Sequence, residues 1–405
     1  MTQTVAKRVI FLPFIDAFGG VERLGLDLSR FLYEAEVPHT LACFRQTIDL
    51  QAYAAWPVPV HELRPARAPL AEARSLSQFL GTEQQKGSGL PLLFDLKSAF
   101  YSGITSAGRF VLHLTDPPSL LPADVSKYSF SARRDFAEFA PLPRSGIATA
   151  LRSESVHRLT RRGVRRAAKV IVMTERIRDE VSGLYGVDPL VVRPGVVSPI
   201  RLKPEPLGSL GKGPLRILSV SRLEASKRLD WILRALAALN STAGWQKTDW
   251  VFEIVGQGPA GESLRTMARE LGVADQTLFL GHVSDEDLGG AYERAQLFIM
   301  PAQQGYGLPA LEALERGIPT IVHKDSGVSE ILARTPWAEL VDGDNGSLAT
   351  AIANMNDRIK GQRLFDSDRP AVPTSFAWAT AVCHACGWTE ASMRIQGVDG
   401  PPTAS

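Results

Sequence analysis

The sequence predicts an α/β protein built from two parallel-sheet domains, and three observations carry that prediction. Short apolar runs alternate with amphipathic stretches, and the alternation starts afresh at Leu215, which is the pattern of strand–helix units wound into parallel sheets. Between the two series, residues 198–214 shift to Pro, Gly, Lys and Ser, the composition of a domain boundary. Glycines follow several of the apolar runs, at the carboxyl ends of the expected strands where such sheets hold ligands. The expected domains are residues 1–197 and 198–372, with a closing helical segment over 373–396.

The composition narrows the function. A chain of 405 residues can bury two cores, and 44% hydrophobic with 22% charged residues is ordinary for a soluble globular protein. A net charge of +2 excludes a strongly basic nucleic-acid binder. The cysteines, Cys43, Cys383 and Cys386, make no disulfide framework, which fits a reducing cytosol. Cys383-His384-Ala385-Cys386 looks like half a metal site, but no second pair follows, and two cysteines on one helix face explain it more simply. The apolar run after Lys7-Arg8 is too short for a signal peptide and is broken by Pro13 and Asp16. No stretch approaches the roughly 20 apolar residues of a bilayer span. A cytoplasmic location is expected, with the inner membrane face as a place of peripheral contact.

Taken in order, residues 9–14 read as the first strand, Gly19-Gly20 as a turn, and residues 21–32 as an amphipathic helix. Residues 39–44 and 57–63 read as further strands. Residues 108–118 form a strand ending in His113 and Asp116 before Pro117-Pro118. A histidine at a strand's carboxyl end suits a cleft, although a lone histidine more often serves structure. Residues 119–144 are rich in Pro, Ser and aromatics without periodicity, and a long irregular connection inside a domain is a candidate acceptor loop. Residues 152–169 carry Arg152, Arg158, Arg161, Arg162, Arg165, Arg166 and Lys169 against Glu154 alone. Such a basic helix suits anionic lipid head groups or a lipid-diphosphate acceptor, and a solvated or protein-facing helix accounts for it as well. A strand at 170–173, a helix at 175–185 and a strand end at 191–196 complete the first series.

The second series opens with a strand at 215–220, then Arg222 and Lys227, then a helix over 229–239. Two cations between a strand's end and a helix can bind a diphosphate, Arg as a fork and Lys as a point charge. The strand at 250–255 leads into Gly256-Gln257-Gly258-Pro259-Ala260-Gly261, which fits G-x-G-x-x-G. A dinucleotide site wants that motif after the domain's first strand with an acid ending the next. Here the motif follows a later strand, and the next one, 277–280, ends in Gly281-His282. NAD is set aside, and Gly256 and Gly258 are read as close-approach glycines at a ligand cleft.

The most informative stretch runs from Met300 to Pro319. A buried strand at 296–300 passes through Gly305 and Gly307 into a helix with Pro309 in its first turn, where a missing N–H costs nothing. Gly317 and Pro319 stop that helix, and a strand follows at 320–322. A glycine loop lets backbone N–H groups approach a ligand, and a helix N-terminus favours an anion. Glu312, one turn in, can reach hydroxyls bound at the same mouth. An anion cradle beside such a carboxylate suits a nucleotide sugar, whereas a plain βαβ turn would need only the glycines. A short helix at 327–331 and a last helix led by Phe376-Ala377-Trp378 and running to Met393 close the chain, with a frayed tail beyond residue 397.

Together these motifs resemble the retaining glycosyltransferases of family 4, with the two-domain Rossmann-like GT-B fold facing across a deep cleft. The matching residues are Gly19-Gly20 with the following Glu22-Arg23, Arg222 and Lys227, Val255–Pro259, Gly281-His282-Val283, the run Gly305-Tyr306-Gly307-Leu308-Pro309-Ala310-Leu311-Glu312, and Phe376 with Trp378. The resemblance implies a UDP- or GDP-sugar donor on the second domain and a saccharide or lipid-linked acceptor on the first. It implies that Arg222 and Lys227 neutralise the departing diphosphate and that Glu312 binds ribose. Residues 305–309 would hold phosphate and sugar, with Tyr306, Gly307, Leu308 and Val283 in the donor-binding set. Gly20 would approach the diphosphate, His113 would lie near the donor sugar, and the last helix would cross back to the first domain. The family's Glu-x7-Glu pattern places its first glutamate, a sugar contact, at position 304, where this chain has Gln304. Gln keeps an acceptor oxygen, loses the charge and gains donors.

The expected activity is metal-independent transfer of a hexose with retention, in polysaccharide or glycoconjugate synthesis, with no cofactor and no bound metal. No paired carboxylates of the glycosidase kind are found. The rival readings are a nucleotide-sugar-binding partner protein with weak or no turnover, motivated by Gln304, and a nucleotide-sugar epimerase, whose acid/base residues are not found.

Overall fold

The computed structural model describes residues 6–16, 18–63, 68–105, 108–118, 147–197, 213–242, 244–343, 345–361, 364 and 369–388. The chain divides into two compact units, residues 1–194 with 374–405, and residues 195–373. The first division falls at Pro194 rather than 197, because Val196 already donates its N–H to the Pro373 carbonyl (2.9 Å) at the far end of the second unit.

In the first unit the strands are β1 (Arg8–Phe11), β2 (Phe14–Ile15), β3 (His39–Cys43), β4 (Arg45–Gln46), β5 (Val60–Glu62), β6 (Leu92–Phe94), β7 (Val111–Leu114), β8 (Lys169–Val172) and β9 (Leu190–Val191). The helices between them are α1 (Gly20–Glu34), α2 (Pro69–Gln85), α3 (Asp95–Ile104), α4 (Ile147–Arg166) and α5 (Glu175–Tyr185). Seven strands form one parallel sheet in the order β5-β3-β1-β6-β7-β8-β9. The strand expected over 9–14 is two pieces. Pro13, which has no N–H to donate, ends β1, and β2 pairs instead with β4 in a separate two-stranded ladder. Helix α1 buries Leu24, Leu28 and Leu32 at helical spacing, and each such side chain contributes roughly 1.5–3 kcal/mol by leaving water.

Helices α3 and α4 cross in backbone contact. A Cβ at Gly103 would strike the Leu159 carbonyl, and one at Gly163 would strike the Ala99 carbonyl. The candidate acceptor loop at 119–144 lies outside the described residues, as does the linker at 198–212.

The second unit carries β10 (Leu215–Val220), β11 (Trp250–Val255), β12 (Thr277–Gly281), β13 (Leu297–Met300), β14 (Thr320–His323) and β15 (Ala338–Val341). Its helices are α6 (Leu229–Leu239), α7 (Gly261–Glu270), α8 (Asp285–Arg294), α9 (Leu308–Glu315), α10 (Ser329–Leu332) and α11 (Asn345–Lys360). Six parallel strands lie in the order β12-β11-β10-β13-β14-β15.

The last helix, α12 (Ser375–Ala385), belongs to the first unit. It ends at Ala385 rather than running to Met393, because Gly387 adopts φ +71° and Trp388 donates its N–H to the Cys383 carbonyl at 2.8 Å, a glycine-terminated cap. Leu90 donates to the Cys386 carbonyl (2.9 Å), fastening this end beside β6. Cys383 and Cys386 are buried free thiols.

Candidate functional site

In the second unit the chain winds outward from β10 in both directions, so the connection reverses between β10 and β13. Open parallel sheets hold ligands at that reversal, beyond the carboxyl ends of the strands. The loop leaving β10 carries Arg222 and Lys227, and the loop leaving β13 carries Gln304 to Gly307 and leads into Leu308 at the start of α9. The Lys227 ammonium donates to the Gln304 amide oxygen at 2.5 Å, so a side chain spans the reversal. Arg222 is half-exposed and ion-paired with Glu224 at 2.8 Å. Sequence reasoning missed this carboxylate beside one of the two expected cations.

Gln304 is fixed on several sides. Its amide nitrogen donates to the Ala302 carbonyl (3.2 Å), and its backbone N–H donates to the Ser326 hydroxyl (3.1 Å). Downstream, Gly307 adopts φ +119°, and a Cβ there would meet Met300 Cε at 2.5 Å and Val328 Cγ2 at 3.1 Å, so only glycine fits. Helix α9 starts at Leu308 with Pro309 in its first turn, as the sequence predicts, and its positive dipole end faces this loop.

Glu312 sits one turn into α9 and is buried. The Tyr292 hydroxyl donates to its carboxylate at 2.9 Å, and the Arg316 guanidinium lies 4.4 Å from the centre of the Tyr292 ring. Tyr292, in the preceding helix, is a supporting residue that nothing in the sequence singles out.

Three of the expected features pack against the protein itself. Tyr306, read as a donor contact, turns its side chain into the core at 5% exposure. Gly256 and Gly258, read as glycines approached by a ligand, are closely approached by protein on the side where a Cβ would stand. A Cβ at Gly256 would strike the Ser221 carbonyl, and one at Gly258 would lie 2.5 Å from the Leu223 oxygen. They let the loop after β11 support the loop bearing Arg222, to which it is bonded through Leu223 N–H to Gln257 O at 3.0 Å. Val283 is half-buried just past β12, on the same edge of the sheet.

In the first unit, His113 is the third. It is fully buried, packed against Phe94 with ring centres 5.0 Å apart, and its Nε2 accepts from the Trp378 indole N–H at 3.3 Å. Burial holds its pKa down at about 3, and its Nδ1 has no hydrogen-bond partner among the described residues. It is a neutral, fully buried histidine. The polar side chain at the end of that strand is Thr115, which donates to Asp95 at 3.2 Å.

Gly19 and Gly20 cap α1, with Gly19 N–H donating to Glu22 at 3.0 Å. A Cβ at Gly20 would meet nothing within 4 Å and its φ is not positive, so the fold does not require glycine there. The basic helix is partly turned inward. Arg165 donates to the Tyr185 carbonyl (2.7 Å) and Arg166 to those of Ser102 and Thr105 (3.2 Å each), while Arg158, Arg161 and Arg162, like Arg165, are exposed. Arg152 lies among side chains outside the description. Among the described residues no helix is long and apolar enough to cross a membrane.

Two parallel-sheet units, each wound outward from its first strand, are the architecture of the GT-B glycosyltransferases. The chain superposes on Anabaena HepE in complex with UDP and glucose with a TM-score of 0.64 at 17% identity, covering 97% of this chain and 98% of that one. It matches WaaG, a glycosyltransferase involved in lipopolysaccharide biosynthesis, with a TM-score of 0.62 at 14% identity, covering 98% and 100%. At these identities the likeness defines the fold. Residues 208–355, within the second unit, match the model of the family described as glycosyl transferases group 1. In sequence the chain is 32% identical over 239 residues to D-inositol 3-phosphate glycosyltransferase 2 of Catenulispora acidiphila, covering 54% of this chain and 55% of the relative. It is 31% identical over 155 residues to the GDP-mannose-dependent alpha-(1-6)-phosphatidylinositol monomannoside mannosyltransferase of Mycolicibacterium smegmatis, covering 36% and 39%. The chain therefore spans about half the length of these curated relatives, or less.

Proposed function

We propose that this protein is a retaining glycosyltransferase that moves a hexose from a nucleoside-diphosphate sugar to a hydroxyl of a saccharide or lipid-linked acceptor. The observation that carries the proposal is the Lys227–Gln304 contact, which sets a cation at the reversal of the second sheet beside the start of α9. In the reaction the bond from the anomeric carbon to the diphosphate oxygen breaks, and the acceptor oxygen bonds to the same face of the sugar. The acceptor proton passes to the departing phosphate. Charge grows on the diphosphate as it leaves, so a fixed cation and a helix N-terminus aimed at it lower the barrier. Lys227 and Arg222 fill that role in this proposal without a metal or cofactor, with Arg222 exchanging Glu224 for phosphate. Glu312, held by Tyr292, takes the ribose. The exposed Arg158, Arg161 and Arg162 suit peripheral contact with an anionic membrane surface.

The relatives support both bases: one is named for GDP-mannose, and a structural neighbour is bound to UDP. Calorimetric titration with UDP, GDP and ADP in metal-free buffer tests the proposal. Micromolar binding of one nucleotide is the expected result and directs the acceptor search. Binding of none removes the phosphate roles of Arg222 and Lys227.

A further inference from the structure

Gln304 stands where two loops meet, and its amide can present only one atom to Lys227. The amide nitrogen donates to the Ala302 carbonyl at 3.2 Å, which leaves Oε1 facing the ammonium at 2.5 Å. The backbone around it is pinned to the loop after β14. Gln304 N–H donates to the Ser326 hydroxyl, that hydroxyl donates to the Ala302 carbonyl at 3.3 Å, and Gly327 N–H donates to the Gln304 carbonyl at 3.3 Å. The acceptor for Lys227 is therefore built into a hydrogen-bonded loop and does not depend on a freely rotating side chain.

A carboxylate would bind an ammonium more strongly than an amide oxygen does. It would also add a full negative charge 2.5 Å from Nζ, at the place where a diphosphate must bring its own. A neutral acceptor orients the ammonium without adding that charge. We propose that Gln304 is a positioning residue that holds Lys227 through a neutral acceptor, and that this amide–ammonium pair sets the affinity of the site for the diphosphate group. The inference rests on the nucleotide-sugar reading of the second unit. In it the glutamine is a working part of the site and not the remnant of a lost glutamate.

The test compares the full-length protein with Q304E, Q304L, K227M and the K227M/Q304L double variant. Each is titrated with UDP, GDP and ADP and with the corresponding nucleosides, and thermal unfolding is followed alongside. Q304E is nearly isosteric and should weaken diphosphate binding tenfold or more while nucleoside binding stays unchanged, a split that a general packing defect does not give. Q304L should weaken it severalfold in the wild-type background and not at all in the K227M background, since the pair is then already broken. If Q304L fails to fold, Q304E alone decides. Should K227M weaken binding while Q304E and Q304L bind like wild type, the inference is overturned and the reading of the site survives. Should wild type bind none of the nucleotides, the reading falls and the inference with it.

Discussion

Burial holds the His113 imidazole down at about 3 from an ordinary 6.5, so the unfolded chain takes up that proton first as pH falls. Its contribution to stability is complete above about pH 6.5 and is lost as pH drops toward about 3. Glu72 behaves in the opposite sense. It is 2% exposed, and burial raises its carboxyl to about 7, against the smaller opposing effects of the Tyr101 hydrogen bond and the Arg45 charge. The folded state then holds a proton that the unfolded state has released, so stability is lost as pH rises from about 4.5 through about 7. E72Q keeps an oxygen to accept the Tyr101 hydroxyl, which now donates at 2.8 Å. Denaturation midpoints measured from about pH 5 to about pH 8 should show E72Q gaining on wild type across that window. A constant offset at every pH would mean that the fold does not hold the Glu72 carboxyl above its ordinary range.

Among the elements, the crossing of α3 and α4 is set by glycines with no conformational excuse: neither Gly103 nor Gly163 has positive φ. G163A should cost more than about 2 kcal/mol, because the new methyl meets the Ala99 carbonyl and the helices must part. G20A is the contrasting case. It should leave the melting temperature unchanged or slightly raised. A fall in stability with G20A would instead make that glycine structural. The same contrast shows what the sequence can reveal. β10, β11 and α6 are legible to the residue, because long apolar runs there are bounded by Gly, Pro or charged punctuation. α2, β6 and α3 are not. β6 has only Leu92, Leu93 and Phe94, and α3 buries Lys97, Ser98 and Ser102 beside Phe100 and Tyr101, so no apolar stripe stands out. At the site, the glycine loop and Glu312 are readable from spacing. The Lys227–Gln304 contact, separated by 77 positions, and the support of Glu312 by Tyr292 exist only once the sheet brings separate loops together.

At the scale of the whole molecule, one continuous stretch, residues 195–373, forms the second unit, while the first is assembled from both ends of the chain. Residues 195–373 expressed alone should unfold cooperatively, as a domain with its own core does. Residues 1–194 alone should not, since they lack Trp378 and Trp388, which are at most 1% exposed in the intact first unit. A sharp melting transition for 1–194 would contradict the assignment of α12 to that core. The cysteines give this division a practical use. Cys43, Cys383 and Cys386 all lie in the first unit. Burial pushes the Cys43 and Cys383 thiols up to about 12 and Cys386 higher than its usual value, so they are unreactive while packed. A thiol-specific reagent added to the native protein is therefore a clock for the opening of one unit alone. It can time that opening in the unaltered chain, with and without nucleotide, while the other unit stays silent.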